Sequence, residues 1–217
     1  MIIHLCFHGI GTCGSEREPG ESQYWVAEDV FLRVLDDLSG LPNIELSFDD
    51  GNRSDVEVAL PALRERGLRA TFFPLAGRLD DPESLSGSDL RELRAGGMGI
   101  GTHGWRHVPW RGLTEGESHR EFVDARRVLE RASGSPITTA ALPLGRYDRA
   151  ALRRLRNVGY RAVYTSDRFP ARSTSWLQAR YSVTAADTVG SVVRIAQGRP
   201  GLREARNVLA SAAKRIR

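Results

Sequence analysis

The stretch IELSFDDGNRSDVEVALPALRERGLRATFFPLA, residues 44–76, predicts a strand, a helix and a second strand in direct succession. IELSF and RATFFPLA are short apolar runs typical of buried strands, and the segment from about Ser54 has apolar residues at helical spacing. Pro61 should kink this helix or mark its entry. Strands joined by a crossover helix run parallel, so the stretch indicates a parallel sheet.

The same alternation continues on both sides of this stretch. Strands are predicted at IIHLCF, MGIGT, ITTAALPLG and RAVYTS, and helices at YWVAEDVFLRVLDDL, SGSDLRELRAGG, ESHREFVDARRVLERASG and RAALRRLRNVGY. Ser88 should cap the second of these helices, and Thr114 with Glu117 should form a capping box before the third. ARYSV and TVGSVVRIAQG add one more unit. Roughly seven strand–helix units predict an α/β fold, an irregular (β/α) barrel with a doubly wound open sheet as the alternative.

Composition is that of an ordinary globular protein. The 217 residues are 41% hydrophobic and 27% charged, and we expect them to form one domain over residues 1–217. The apolar runs are too short for a membrane span, and MIIHLCFHGIG lacks the flanks of a signal peptide. We therefore expect a cytoplasmic protein, in which Cys6 and Cys13 are free thiols.

The formal charge of +4 does not by itself indicate a nucleic-acid partner. The basic residues are nearly all arginine and alternate with acids, as in EFVDARRVLERASG. Such patterns are typical of solvated helix faces, and no zinc-finger or RNP-type signature accompanies them. No nucleic-acid binding is therefore predicted.

Polar residues follow several predicted strands. Asp49 and Asp50 end IELSF, His103 and His107 follow MGIGT, and His8 follows IIHLCF. Because the carboxyl ends of parallel strands meet at one rim, these side chains should lie close together.

This set of side chains suits a metal ion. Two histidines four residues apart lie about one helical turn from each other, so both imidazoles can face one ion. One carboxylate completes a set with open positions, and the other acid can serve as general base. The competing interpretations are two hydrogen-bonded histidines, and a helix cap beside a solvated aspartate.

LSFDDG, THGWRH and LPLG resemble the successive motifs of the polysaccharide deacetylase family (NodB homology, carbohydrate esterase family 4), over about residues 44–185. The resemblance implies a distorted (β/α) barrel that removes the acetyl group of an N-acetylated sugar or glycoconjugate. It implies that Asp50, His103 and His107 hold one divalent metal ion, zinc in most members. It also implies that Asp49 activates a metal-bound water as the base, and that the backbone N–H of Leu144 stabilises the oxyanion.

The sequence departs from the family pattern at two places. Where the third motif commonly has an arginine that braces the base, Ala141 stands here, and Arg146 is our candidate replacement. The late histidine that protonates the leaving amine is missing, since no histidine follows residue 119. LCFH at the start resembles that motif moved to the front, as in circularly permuted members, which predicts His8 as the acid with Asp167 as an orienting partner. A histidine bonded to backbone at the edge of the core is the competing interpretation of His8.

The substrate cleft and the C-terminal helix each leave two alternatives. Trp105, Trp110 and Tyr147 either line a sugar cleft or pack in the core. The helix in GLREARNVLASAAKRIR has one apolar stripe, which either contacts anionic lipid peripherally or packs on the barrel: Leu202, Ala205, Leu209, Ala212 and Ile216. Nothing in the sequence specifies an oligomeric state.

Two other functions compete with the deacetylase. A weak or inactive carbohydrate-binding member is favoured by the missing arginine, but a binder has no need of both Asp49 and Asp50. Magnesium-dependent phosphoryl transfer prefers oxygen ligands, and two histidines at metal spacing oppose it.

Overall fold

The computed structural model describes residues 1–198 and 201–216, without the side chain of Arg203. The strands are β1 (Ile3–Phe7), β2 (Gly9–Ile10), β3 (Trp25–Val26), β4 (Ile44–Asp50), β5 (Ala70–Pro74), β6 (Gly99–Ile100), β7 (Thr139–Ala141), β8 (Ala162–Thr165) and β9 (Leu177–Ser182). The α-helices are α1 (Glu28–Leu38), α2 (Leu60–Glu65), α3 (Gly87–Ala95), α4 (Glu115–His119), α5 (Ala125–Ser133), α6 (Arg149–Val158), α7 (Val189–Gln197) and α8 (Leu202–Ile216).

Seven of the strands form one parallel sheet in the order β6-β5-β4-β1-β9-β8-β7. A bridge between Thr102 and Ala140, just past β6 and within β7, joins the two edges, so the sheet is a nearly closed barrel. This confirms the predicted (β/α) barrel over the open sheet. β1 pairs with both β4 and β9, which places the strand of LCFH beside the strand of FDDG.

The two faces of the barrel strands carry different side chains because successive residues of a strand point to opposite sides. Phe7, Phe48 and Phe72 are neighbours on three adjacent strands, and Phe31 of α1 packs edge-on against the first two. On the other face of β4, Ser47 and Asp49 contact a buried arginine described below. The helix-facing side is therefore apolar, whereas the barrel interior is polar.

Most of the helix boundaries predicted from capping residues and from Pro61 are found in the structure. Pro61 stands in the first turn of α2, directly after a π-helical segment, Asp55–Ala59. Thr114 and Glu117 form the predicted capping box of α4. The predicted cap of α3 is wrong by two residues, because Ser86 rather than Ser88 accepts the bond from the backbone N–H of Asp89.

The C-terminal helix packs on the barrel with its polar side. Ser211 is buried, and Asn207 and Lys214 bond to the barrel turns. The apolar stripe points to solvent instead, since Leu202 is 93% exposed and Leu209 72% exposed. The interpretation that this stripe packs on the barrel is wrong. None of the helices in the described residues combines the length and apolarity that crossing a bilayer needs.

Candidate active site

The two adjacent aspartates lie at the carboxyl end of β4, where the backbone takes an unusual path. Asp50 has a left-handed backbone with φ 75°, and Gly51 follows with φ 72°. A Cβ atom at Gly51 would lie 2.8 Å from Cβ of Pro74 on the next strand. Glycine is therefore required here for space as well as for conformation. The left-handed backbone of Asp50 is uncommon for a residue with a side chain, and such conformations cluster at functional sites.

Asp50, His103 and His107 form the cluster predicted to hold a metal. Oδ1 of Asp50 lies 3.6 Å from Nε2 of His103 and 3.6 Å from Nε2 of His107. The ligand atoms of the three residues all lie within 4.8 Å of one another. Within residues 1–198 and 201–216, Oδ1 of Asp50 is a buried oxygen without a hydrogen-bond partner. A buried anionic atom left in this state fits a cation between the three side chains.

The other ring nitrogens of the two histidines are held by acceptors. His103 Nδ1 lies 2.9 Å from the carbonyl oxygen of Ala141, and His107 Nδ1 lies 2.5 Å from Oε2 of Glu18. Each Nδ1 must donate its hydrogen there, which leaves a lone pair on each Nε2 facing Asp50. Burial lowers the pKa of His103 to about 4, so this ring is neutral at pH 7, as a metal ligand must be.

Glu18 belongs to the segment between β2 and β3, and it also pairs with Arg78 across the cleft. Glu18 could not be singled out from the sequence, because it stands in an acidic, glycine-rich loop. Its carboxylate orients His107 in the way that outer-shell acids orient metal-bound histidines.

The segment from His103 to His107 is a loop rather than the helical turn assumed from its spacing. Buried Glu121 shapes it, because its carboxylate accepts bonds from the backbone N–H of Trp105 at 2.8 Å and of Arg106 at 3.2 Å. The four-residue spacing thus correctly predicted that His103 and His107 lie close together, but the helical turn assumed between them was wrong.

Asp49 is braced by Arg180 of β9, which the sequence interpretation missed. Nη1 of Arg180 donates to Oδ1 of Asp49 at 2.7 Å, and Nη2 donates to Oδ2 at 2.6 Å. Nη1 also donates to Oγ of Ser47 at 3.0 Å, and both members of the pair are buried. Burial acts to raise the pKa of Asp49, but the charge and hydrogen bonds of Arg180, together with the nearby His103 and His8, hold this pKa well below its ordinary value.

Arg180 occupies the place proposed for Arg146. The guanidinium contacts of Asp49 come from β9, whereas Arg146 lies in the cleft wall after β7. Arg180 is not adjacent to any motif in sequence, and only the pairing of β9 with β1 brings it to Asp49.

His8 lines the cleft at the end of β1, with its ring centroid 4.7 Å from that of Tyr24. Burial lowers its pKa, and the nearby charge of Asp50 only partly opposes this shift. Its Nδ1 is buried without a hydrogen-bond partner among the described residues, so it is not a histidine bonded to backbone through that atom.

Asp167 does not orient His8. Its carboxylate accepts a bond from the hydroxyl of Tyr147 at 2.7 Å and pairs with Nζ of Lys214 at 2.6 Å. The prediction that Asp167 orients His8 is wrong, because Tyr147 and Lys214 already bind both carboxylate oxygens of Asp167.

The candidate oxyanion donor lies in a tight turn, Pro143–Gly145. Leu144 has a left-handed backbone with φ 57° and is 48% exposed in the cleft wall. The hydrogen bonds of this turn come from the N–H groups of Gly145 and Arg146. The N–H of Leu144 is therefore not used to close it.

The cleft around these residues has a volume of about 340 Å³ and an aromatic wall different from the predicted one. Trp110 and Tyr147 are buried in the core, so their proposed place in the cleft is wrong. Trp105 is half-buried, and Cζ of the Arg120 guanidinium lies 4.6 Å from the centroid of the Trp105 ring. Tyr24 and Leu144 are large hydrophobic side chains that are exposed and line the cleft.

A second cluster, Cys6, His8 and Asp49, also has ligand atoms within 4.8 Å of one another. It suits a metal poorly, since burial raises the pKa of the Cys6 thiol and Arg180 occupies both oxygens of Asp49.

Comparison with known proteins agrees with this fold. The family model "Polysaccharide deacetylase" matches residues 40–163, which is more than half of the chain. The chain therefore belongs to the polysaccharide deacetylase family.

Individual relatives are more distant. "Putative polysaccharide deacetylase YxkH" of Bacillus subtilis (strain 168) is 25% identical over 122 residues, which are 56% of this chain and 44% of that protein. The match thus spans less than half the length of that relative.

Solved structures of deacetylases share the fold. The Streptococcus pyogenes deacetylase PplD, in complex with acetate, has a TM-score of 0.78 at 19% identity and covers 92% of this chain and 98% of its own. IcaB from Ammonifex degensii has a TM-score of 0.73 at 22% identity, covering 91% and 97%.

Proposed function

We propose that this chain is a metal-dependent hydrolase that removes the acetyl group of an N-acetylated sugar or glycoconjugate, with zinc as the metal. The observation that carries the proposal is the unpartnered, buried Oδ1 of Asp50 between two Nε2 atoms, beside a second aspartate held by Arg180. Two imidazoles and one carboxylate with open positions are a catalytic rather than a structural ligand set.

Asp50, His103 and His107 would hold the ion. When bound, it supplies Lewis-acid polarisation of the acetyl carbonyl and makes a nearby water more acidic. Glu18 and the carbonyl of Ala141 keep the two Nε2 lone pairs turned toward the ion.

Asp49 would take the proton from the attacking water. Its two bonds from Arg180 fix the carboxylate in one orientation and keep it ionised. The backbone N–H of Leu144, on the same cleft wall, would donate to the oxygen that becomes negative as the carbonyl carbon is attacked.

His8 would protonate the departing amine nitrogen of the sugar. It faces the cleft from β1, next to the strand of Asp49, which is where a last strand of the barrel would place its acid. The S. pyogenes deacetylase is in complex with acetate, which is the product that such a reaction releases.

The second candidate is a carbohydrate-binding member without turnover. Its main support was the missing arginine at Ala141, and Arg180 supplies that contact from another strand. The cytoplasmic location inferred from the sequence stays a prediction.

The test is acetate release from a panel of N-acetylglucosamine oligomers and of nucleotide-linked and lipid-linked N-acetyl sugars, with zinc-loaded protein. We expect acetate and free amine in equal amounts. Asp49→Asn and His8→Asn should each lose about 10²–10⁴-fold in kcat. The controls, Asp37→Asn and His119→Asn, exchange exposed residues outside the cleft and should keep full activity. Sugar binding without acetate from any substrate would favour the binding module instead.

A further inference from the structure

Two arginines stand on adjacent turns at the rim of the cleft. Arg146 follows the turn after β7, and Arg168 follows β8, which pairs directly with β7. Both side chains line the same cleft as His8 and Asp50. We call Arg146 and Arg168 the arginine pair.

The backbone around the arginine pair is held by its neighbours. Nζ of Lys214, the single lysine of the chain, donates to the carbonyl of Gly145 at 3.0 Å and pairs with Asp167 at 2.6 Å. Tyr147 donates its hydroxyl to the same carboxylate at 2.7 Å. Gly145 and Tyr147 flank Arg146, and both are thus linked to Asp167, the residue before Arg168.

Arg168 is fixed by three further bonds. Its backbone N–H donates to the carbonyl of Arg180 at 3.0 Å, and its own carbonyl accepts from Nδ2 of Asn207 at 2.9 Å. Its Nη1 donates to the carbonyl of Ser182 at 2.8 Å, and among the described residues the other guanidinium donors of Arg168 have no acceptor. The arginine pair is therefore carried on a preorganised frame.

No described carboxylate compensates the charges of the arginine pair. The other two arginines of the cleft are paired, Arg180 with Asp49 and Arg78 with Glu18. In the part of the chain that the structure describes, neither Arg146 nor Arg168 has a carboxylate within ion-pair distance.

The summed charge of the side chains that line the cleft also favours an anionic ligand. Four acidic side chains and four arginines line it: Glu18, Glu21, Asp49, Asp50, Arg78, Arg146, Arg168 and Arg180. With a divalent cation at Asp50 the wall has an excess of two positive charges. A neutral acetylated sugar uses none of that field, whereas an anionic group on the sugar does.

We propose that the arginine pair binds a phosphate or diphosphate group attached to the acetylated sugar. This inference rests on the proposed function and specifies its substrate class. A phosphate monoester has three terminal oxygens and a charge of about −2, which suit two guanidinium forks better than the two oxygens and single charge of a sugar carboxylate.

The experiment compares N-acetylglucosamine 1-phosphate with N-acetylglucosamine on the same zinc-loaded preparation. We expect the phosphorylated sugar to have a kcat/KM higher by tenfold or more, since charge-assisted bonds contribute roughly that factor per arginine. Arg146→Gln and Arg168→Gln should each reduce this ratio, and the double variant should bring it close to one. Arg149→Gln, an exposed arginine outside the cleft, is the charge-matched control and should keep the ratio. Because the readout is a ratio within one preparation, partial unfolding does not imitate it.

Calorimetric titration of the two sugars separates this inference from the proposed function. If no sugar is deacetylated but N-acetylglucosamine 1-phosphate binds tenfold tighter through the arginine pair, the anion site stands and the reaction assignment fails. Equal kcat/KM and equal affinity for the two sugars would overturn the anion site, as would an equal loss in Arg149→Gln. A nucleotide-linked and a polyprenyl-diphosphate-linked N-acetyl sugar, the latter in detergent micelles, then distinguish a soluble source of the phosphate from a lipid one.

Discussion

The ion pair of Asp49 with Arg180 predicts a large coupling free energy between two residues that lie 131 positions apart in the sequence. Arg180→Gln removes two charge-assisted bonds, of 2.7 and 2.6 Å, and leaves the Asp49 carboxylate buried without a countercharge. Removing one partner of a buried ion pair costs about 3–5 kcal/mol of unfolding free energy. Asp49→Asn should cost a similar amount, because it leaves the guanidinium unpaired instead.

The double variant, Asp49→Asn with Arg180→Gln, distinguishes pairing from two independent effects. Two neutral amides can bond to each other in the same space, so it should be more stable than the sum of the single losses predicts. We expect a coupling free energy of about 3 kcal/mol, measured by urea unfolding of chelator-treated protein at pH 7. Arg161→Gln, which changes an exposed arginine, should stay within about 0.5 kcal/mol of the wild type.

The same pair predicts the pH dependence. Arg180 holds the pKa of Asp49 below its ordinary value against the effect of burial, so Asp49 contributes stability above about pH 4. That contribution is lost only as pH falls through the lower, folded-state pKa. In Arg180→Gln, burial raises the pKa of Asp49 without this opposing charge. The difference in unfolding free energy between this variant and the wild type should therefore be largest at pH 7 and shrink toward pH 3. A coupling free energy below about 0.5 kcal/mol, or a difference in stability that does not change with pH, would show that Asp49 and Arg180 do not stabilise each other.

Three further predictions concern residues around the site. Glu18→Gln should weaken zinc binding by about 10–100-fold in a chelator competition, because His107 loses its charged acceptor, whereas Glu28→Gln should not. Burial raises the pKa of Asp55, so the wild type should lose stability as pH rises from about 4, the pKa of an unfolded aspartate, up to that raised pKa. Asp55→Asn should remove the loss in thermal unfolding of metal-free protein, and an unchanged profile would contradict this. The exposed stripe of α8 should bind anionic vesicles in a sedimentation assay, and Leu209→Gln should weaken binding more than Ala210→Gln; equal binding would exclude contact through the stripe.

The barrel was predictable from sequence because its signals are local. Apolar runs of strand length alternate with helical spacing, and the strand ends are marked by polar or glycine residues. The two-residue strands β2 and β3 were not predicted, since so short a pairing leaves no period in the sequence.

The metal cluster was predictable for a related reason. Asp50, His103 and His107 each follow a strand, and parallel topology brings strand ends to one rim. Glu18 and Arg180 were not predictable in this way. One lies in a loop, and the other lies inside a strand whose neighbour is fixed only when the barrel closes.

The aromatic residues show where local reasoning fails. Trp110 and Tyr147 stand near motifs, as cleft residues do, but side-chain packing rather than chain position decides burial, and both are in the core. The stripe of α8 was misjudged because a polar helix face normally meets solvent. Here the polar face meets the charged turns of Asp167 and Arg168.

The zinc content of the purified chain, measured with acetate release in the same samples, tests the proposed metal site most directly. We expect about one zinc per chain in the wild type, retained in Asp49→Asn with acetate release lost, and both lost in Asp50→Asn. Zinc bound equally by the wild type and Asp50→Asn, or acetate released by chelator-treated protein, would contradict it.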